Sequence, residues 1–229
     1  MKIAGYEKMS LVDYDGKVAC TVFTSGCNFR CGFCHNSALV VPVNGFPQID
    51  EKEFFSYLEK RRGILDGVCV SGGEPTLSND LISFCERIKS LGYSIKLDTN
   101  GTNPDIVKKL ASEKLCDYFA MDIKSSLSNY PLITNSNVNV NKVSETVEFF
   151  LSGQVDYEFR TTIFKEFHTK EEMQKIGEWI KGAKKYFLQK FVSGENCIEQ
   201  GFTPIDEQLA KEFLEILKPN IPNVNLRGY

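Results

Sequence analysis

The sequence lacks the features that mark several common functional classes. It has no run rich in Lys and Arg, and 27 basic against 30 acidic residues give a formal net charge of −3, so no nucleic-acid footprint is present. Residues 1–10 hold no apolar core of the kind found in signal peptides, and no stretch approaches the roughly 18 apolar residues of a membrane span. We therefore expect a cytoplasmic protein with neither nucleic acid nor membrane as a partner.

The sequence also lacks the short, cysteine-dense composition of a disulfide-stapled domain, although it contains eight cysteines in 229 residues. Three of them are grouped and no second group exists. The scattered ones that lie in apolar patterns are expected in the core, because free cysteine is among the most buried residue types; these are Cys20, Cys69, Cys85 and Cys116. Cys197 lies in a polar stretch and its role is left open.

The grouped cysteines, Cys27, Cys31 and Cys34, have the spacing C-x3-C-x2-C. Short polar and Gly spacers allow such a loop to aim three thiolates at one iron–sulfur cluster. A [4Fe–4S] cluster usually takes four thiolates, so three would leave one iron open to a substrate or cofactor. The alternative is a structural zinc with His35 or a remote cysteine as fourth ligand.

Strand-like and helix-like patterns alternate along the chain. This alternation predicts an α/β fold with parallel strands in a partial (β/α)6 barrel, built as one domain over residues 1–229. Ligands in such folds sit at the carboxyl ends of the strands, where unusual polar residues fall here. The Asn-rich stretch 129–141 is expected to be a mobile loop. The strands are predicted at 18–25, 67–71, 93–97, 117–123, 157–163, 186–192 and 224–226.

The cysteine loop followed by Gly72, Gly73 and Glu74 at the end of the next strand resembles the radical S-adenosylmethionine (SAM) superfamily. The resemblance implies that the thiolates hold a [4Fe–4S] cluster whose open iron is chelated by the amino and carboxylate groups of SAM. Two glycines let the backbone come close to a ligand, and the Glu74 carboxylate can accept hydrogen bonds from an ammonium group. Phe33 matches an aromatic position that forms a wall beside the adenine.

Further runs resemble the activating enzymes of glycyl radical proteins: Cys34-His35-Asn36, Asp98-Thr99-Asn100-Gly101 and Asp122-Ile123-Lys124. The segment 10–17 is similar to the start of activating proteins of anaerobic ribonucleoside-triphosphate reductase, with Asp15 where Pro is expected. This resemblance implies reductive cleavage of SAM with an electron from a flavodoxin- or ferredoxin-type donor. The 5′-deoxyadenosyl radical then generates a glycyl radical on a partner enzyme, and no side chain acts as a catalytic acid or base.

The same resemblance implies roles for the strand-end residues. Lys124 would pair with the SAM carboxylate, while Asp98 and Asp122, with the carbonyls of Thr99 and Ala120, would surround a monovalent cation. Arg160 and Gln189 would face the ribose or the carboxylate. The implied cofactor-binding set is Phe33, Gly72, Gly73, Glu74, Asp98, Thr99, Asn100, Lys124, Arg160 and Gln189.

Simpler interpretations stand beside these roles. Gly72 and Gly73 fit an ordinary turn, Asp98 fits a cap of the next helix, and Lys124 fits a solvated charge. In these interpretations Arg160 and Gln189 have a structural role and do not bind a ligand, and His168 is a loop or cap residue. For the whole chain, the alternatives are a radical SAM enzyme acting on a small molecule or peptide, and a non-catalytic metal-binding module.

Overall fold

The structure is a computed structural model that describes residues 1–40 and 48–229. These residues divide into two compact units. The first consists of Met1–Asn28, Ala38–Thr99 and Asn103–Phe119, and the second of Phe29–Ser37, Asn100–Thr102 and Ala120–Tyr229. A single domain over residues 1–229 stays a prediction.

The first unit is built on parallel strands joined by helices, as predicted. Strand β2 pairs in parallel with β3, and β3 pairs in parallel with β4. Helix α1 (Ser37–Val40) and strand β5 (Tyr118–Asp122) each have residues in both units. The remaining elements are β2 (Ala19–Thr24), α2 (Glu51–Lys60), β3 (Gly67–Gly72), a 3₁₀ turn (Pro75–Leu77), α3 (Leu81–Ser90), β4 (Ser94–Thr99) and α4 (Pro104–Ser112).

Local sequence explains where these helices begin. The side chain of Asp50 accepts a hydrogen bond from the Lys52 amide and caps α2, whose apolar positions are buried. Pro104 occupies the first turn of α4, where its missing N–H costs nothing. Asn103 is the N-cap residue of α4, but its side chain makes no hydrogen bond to the first turn of that helix. The Asn103 amide instead donates to the Thr76 carbonyl at 2.9 Å, so this side chain ties two loops together.

Strand β1 (Ile3–Ser10) was not predicted and pairs antiparallel with β2. Only its ends, Ile3 and Ser10, are buried, so the segment shows none of the alternation that marks a strand with one buried face. Its extended conformation therefore follows from backbone pairing with β2. The pattern of apolar and polar side chains does not reveal this pairing.

The second unit repeats the parallel pattern, with β6 paired to β7 and β7 paired to β8. Part of the predicted loop 129–141 is helical, which corrects that prediction. Tyr130 and Ile133 are buried one helical turn apart, and the Tyr130 ring packs edge-on against Trp179 at 5.9 Å. The elements are α5 (Tyr130–Thr134), α6 (Val140–Leu151), β6 (Tyr157–Ile163), α7 (Lys170–Trp179), β7 (Tyr186–Lys190), α8 (Glu207–Leu217) and β8 (Val224–Arg227).

Across residues 1–40 and 48–229, no helix has both the length and the apolar character required to cross a membrane.

Candidate active site

The cysteine loop follows directly from the end of β2. None of its three cysteines forms a disulfide; Cys27 belongs to the first unit, and Cys31 and Cys34 belong to the second. The Cys34 amide donates to the Cys31 carbonyl at 3.0 Å, so these two residues share one tight turn. Over the described ranges, no three His, Cys, Asp or Glu side chains are already gathered as a metal site. The ligand set Cys27, Cys31 and Cys34 therefore stays a prediction.

A positive charge lies close to this turn. Burial raises the pKa of the Cys34 thiol, while the Asn36 amide and the Lys124 ammonium act in the opposite direction. Burial acts to lower the pKa of Lys124, but the Asp122 carboxylate and the neighbouring thiols raise it above its ordinary value. Lys124 is therefore a cation whose charge partly offsets the burial that disfavours the Cys34 thiolate. Thiolates are the ligands that an iron–sulfur cluster requires.

Two buried hydroxyl oxygens at the end of β2, Thr24 Oγ1 and Ser25 Oγ, have no hydrogen-bond partner within the part of the chain that the structure describes. Leaving a buried hydroxyl unsatisfied costs about 1–3 kcal/mol, so such groups point to a bound group that completes their bonding. The residues present thus fit a cofactor held beside Cys27. Neither hydroxyl was predicted as a site residue, because Thr and Ser in a strand carry no signal of being unpaired.

The Gly-Gly-Glu run packs against the start of the cysteine loop. A Cβ on Gly72 would lie 2.3 Å from the Thr24 nitrogen, and one on Gly73 would lie 2.0 Å from the Gly26 oxygen. The Glu74 amide donates to the same Gly26 carbonyl at 2.8 Å. The close approach that two glycines permit is therefore made to the chain itself, and their role toward SAM stays a prediction.

Glu74 is 2% exposed, and its Oε1 accepts from three donors: the Thr76 amide, the Thr76 hydroxyl and the Thr99 hydroxyl at 2.8 Å. The last contact joins the residue that follows β3 to the last residue of β4. Such a contact is expected where the carboxyl ends of parallel strands lie side by side. Binding of a SAM ammonium by Glu74 stays a prediction.

Asp98 is held by hydrogen bonds within the first unit. Its Oδ2 accepts from the Ser71 hydroxyl at 3.0 Å, and its Oδ1 lies 2.7 Å from the Lys96 ammonium. Helix α4 begins at Pro104, so the alternative in which Asp98 caps that helix is wrong. In the second unit, Asn100 Oδ1 accepts from the amide and the hydroxyl of Thr102, which forms the turn that follows the strand.

Asp122, Lys124 and Arg160 form a charged group in the second unit. Asp122 Oδ1 is 3.0 Å from Arg160 Nε, and its Oδ2 is 3.2 Å from Lys124 Nζ. The Lys124 side chain is 18% exposed, so the interpretation of a solvated charge is wrong. The structure thus brings together three of the predicted site residues. Within this group Arg160 forms an ion pair with Asp122.

Phe33 is buried at 6% exposure and packs against Phe164, with ring centroids 4.8 Å apart. Lys124 Nζ lies 5.7 Å from the centre of the Phe33 ring, which joins this aromatic side chain to the charged group. Gln189 lies on β7 in register with Thr162 of β6 and Arg227 of β8. The roles of Phe33 and Gln189 toward SAM stay predictions.

Three buried side chains clamp the backbone around Lys124. Its carbonyl contacts His168 Nε2 at 3.1 Å, and its amide donates to the Tyr130 hydroxyl at 3.2 Å. The Glu172 carboxylate accepts from the hydroxyl and the amide of the next two residues, Ser125 and Ser126. His168 was predicted to be a loop or cap residue. Thr169 caps α7 by accepting from the Glu172 amide, and this local pattern does not indicate a clamp on a strand end.

We predict that His168 makes stability depend on pH. Burial lowers the pKa of His168 to about 4, and the carbonyl contacts oppose this only in part. The unfolded chain takes up the proton near pH 6.5, so the folded state binds fewer protons below that pH and loses stability as pH falls from 6.5 toward 4. The expected loss is about 3 kcal/mol. Urea unfolding at a series of pH values measures it.

His168→Gln removes this titration. The free energy of unfolding of wild type should therefore fall by about 3 kcal/mol more than that of the variant between pH 7 and pH 4. The chain has one other histidine, His35, which is exposed and offers the matched control His35→Gln. A His168→Gln protein that keeps the wild-type pH dependence would contradict the prediction.

Comparisons with known proteins place the chain in a family. The sequence profile of the Radical SAM superfamily matches residues 21–180. A protein of Methanocaldococcus jannaschii, provisionally named a glycyl-radical enzyme activating enzyme, is 28% identical over 98% of this chain and 95% of its own length. The pyruvate formate-lyase-activating enzyme of Listeria monocytogenes is 31% identical over 61% of this chain and 60% of its own length.

A third relative, the 7-carboxy-7-deazaguanine synthase of Halobacterium salinarum, is 38% identical over 38% of this chain and 35% of its own length. Among solved structures, Streptococcus suis SuiB bound to S-adenosylmethionine superposes with a TM-score of 0.69 at 15% identity, over 90% of this chain and 49% of that one. At this identity the superposition shows the fold alone.

The fold and the cysteine loop define an enzyme class that uses a cluster-bound sulfonium cofactor, and the chain belongs to the Radical SAM superfamily. The predicted α/β class with parallel strands, the partial barrel of this family, is thereby confirmed. Membership implies a [4Fe–4S] cluster and SAM as cofactors.

Proposed function

We propose that this chain is a radical SAM activating enzyme that installs a glycyl radical on a partner protein. The observation that carries the proposal is the relationship to the M. jannaschii protein, which extends over 98% of this chain and 95% of that protein. The pyruvate formate-lyase-activating enzyme adds support over a shorter region.

In this proposal Cys27, Cys31 and Cys34 would hold the [4Fe–4S] cluster and would leave one iron open to SAM. When bound, the cluster and SAM would supply one-electron cleavage of the sulfonium C–S bond and the removal of a hydrogen atom from a glycine Cα of the partner, with methionine and 5′-deoxyadenosine as the products. The protein binds and orients these cofactors, and it excludes water from them.

The charged group is the part of the chain suited to orienting SAM. Lys124 is kept protonated by Asp122 and is fixed by the clamp of His168, Tyr130 and Glu172. A cation held in this way can pair with a carboxylate without losing conformational entropy when the ligand binds. Arg160 anchors Asp122 from the neighbouring strand, and so it acts as a positioning residue for Lys124.

We further propose anaerobic ribonucleoside-triphosphate reductase as the partner and a flavodoxin- or ferredoxin-type protein as the electron donor. The support for the reductase is the similarity of residues 10–17. Leu11 and Val12 of this segment are 71% and 81% exposed, so it is available to another protein. Two large apolar side chains at that exposure suit a contact surface.

A second candidate function is radical chemistry on a small molecule. The match to 7-carboxy-7-deazaguanine synthase supports it, because that relative is 38% identical over 97 residues. In this case SAM cleavage would be the same, and only the hydrogen donor would differ.

The proposal predicts two results that can be measured separately. The anaerobically reconstituted protein, given dithionite and SAM, should release 5′-deoxyadenosine, measured by chromatography with mass detection; no release above background would exclude every radical function and leave a metal-binding module. Mixed with the reductase, it should produce the doublet of a glycyl radical in electron paramagnetic resonance.

The partner with its radical-bearing glycine replaced by alanine is the control for that doublet. A doublet with pyruvate formate-lyase instead would keep the activating function and change the partner. SAM cleavage without a doublet on any glycyl radical protein would favour the small-molecule alternative.

A further inference from the structure

A lysine is buried in the interior of β4. The Lys96 side chain is 5% exposed, and its ammonium lies 2.7 Å from Asp98 Oδ1. The other oxygen of Asp98 accepts from the Ser71 hydroxyl at 3.0 Å. Burying an ammonium group is costly unless a countercharge pairs with it. The Lys96–Asp98 ion pair is therefore needed for the buried position of Lys96.

Strand register explains why the pair forms. Lys96 and Asp98 are two positions apart, so their side chains leave the same face of β4. Cys69 of β3 is in register with Lys96, and its sulfur lies 3.9 Å from the ammonium. The Lys96 stem thus passes beside a small residue, and its charge reaches the carboxyl end of the strand.

This arrangement conflicts with the monovalent cation that the family resemblance predicts at Asp98 and Asp122. A monovalent ion and an ammonium group carry the same charge and seek the same carboxylate oxygens, so they repel each other at one position. Asp98 already holds the ammonium of Lys96. In the second unit, Asp122 is paired on one oxygen with Arg160 and on the other with Lys124. The residues present at these carboxylates do not fit an added cation.

We infer that the Lys96 ammonium takes the place of a monovalent cation at Asp98. Lys96 is then a positioning residue: it neutralises Asp98 and holds the end of β4, and it makes the site independent of K⁺ and Na⁺. The inference rests on membership of the superfamily and not on the identity of the partner.

The test uses the anaerobically reconstituted protein in buffer with choline as the only added cation, compared with saturating KCl at equal ionic strength. Photoreduced deazaflavin supplies the electron in place of dithionite, whose sodium salt would add Na⁺. Wild type should show the same melting temperature and the same rate of SAM cleavage in both buffers. Lys96→Met should lower the SAM cleavage rate about 10-fold or more in choline, and KCl should restore both that rate and the melting temperature in a saturable way. The melting temperature reports on cation binding even if SAM cleavage fails.

Lys89 offers a matched control, because its ammonium pairs with Asp117 at 2.9 Å on the surface of the same unit. Lys89→Met should create no dependence on KCl. Two results would overturn the inference: a wild type that needs K⁺ or Na⁺, and a folded Lys96→Met that does not respond to them. If Lys96→Met does not fold, Lys96→Gln replaces it. If neither variant folds, the response of wild type decides alone.

Discussion

Replacing Cys31 with alanine should abolish both the iron–sulfur cluster and SAM cleavage. Alanine offers no ligand, and two thiolates do not hold a [4Fe–4S] cluster that already has one open iron. The fold should persist, because the substitution removes a single sulfur atom from a buried position. Iron and sulfide analysis and visible absorbance after reconstitution measure the cluster, and release of 5′-deoxyadenosine measures the activity.

Cys116→Ala is the matched control for this prediction. Cys116 is also a buried free thiol, and its sulfur lies 3.1 Å from the Tyr118 carbonyl. This variant should lose some stability while it keeps full iron content and SAM cleavage. A Cys31→Ala protein that bound iron and cleaved SAM like wild type would show that the ligand assignment is wrong.

The alternation of strand-like and helix-like patterns predicted most strands, because each apolar run is followed by glycine or charged residues that mark its end. The apolar run 67–71 gives way to Gly72 and Glu74, and the run 93–97 gives way to Asp98. In parallel α/β folds these ends form the functional edge, so the pattern that marks the strands also marks candidate site residues. Strand β1 escaped this reasoning, since only its terminal residues are buried.

The contacts that refine the site depend on partners far along the chain. His168 reaches the backbone of Lys124 across 44 residues, and no local pattern around it signals that contact. A hydroxyl in a strand is equally uninformative, so Thr24 and Ser25 could not be recognised as unpaired. Lys96 is different: opposite charges at 96 and 98 share one strand face, and this spacing was available in the sequence as a sign of an internal ion pair.

Replacing Gly73 with alanine should destabilise the protein by about 3 kcal/mol or more, even without SAM. The added Cβ would lie 2.0 Å from the Gly26 oxygen, and that contact involves backbone rather than a flexible side chain. Gly73 also donates its amide to the Thr24 carbonyl at 2.9 Å, which restrains it from moving away. Urea unfolding of the SAM-free protein measures the effect.

Gly5→Ala is the matched control, because a Cβ at Gly5 meets no atom within 4 Å. Its stability should stay within about 0.5 kcal/mol of wild type. The comparison also separates the two roles of the Gly-Gly-Glu run. If Gly73 were small only to admit SAM, Gly73→Ala would leave the stability of the SAM-free protein unchanged and weaken SAM binding alone. If its close approach is to the loop that leads into Cys27, stability and cluster loading should fall together before SAM is added.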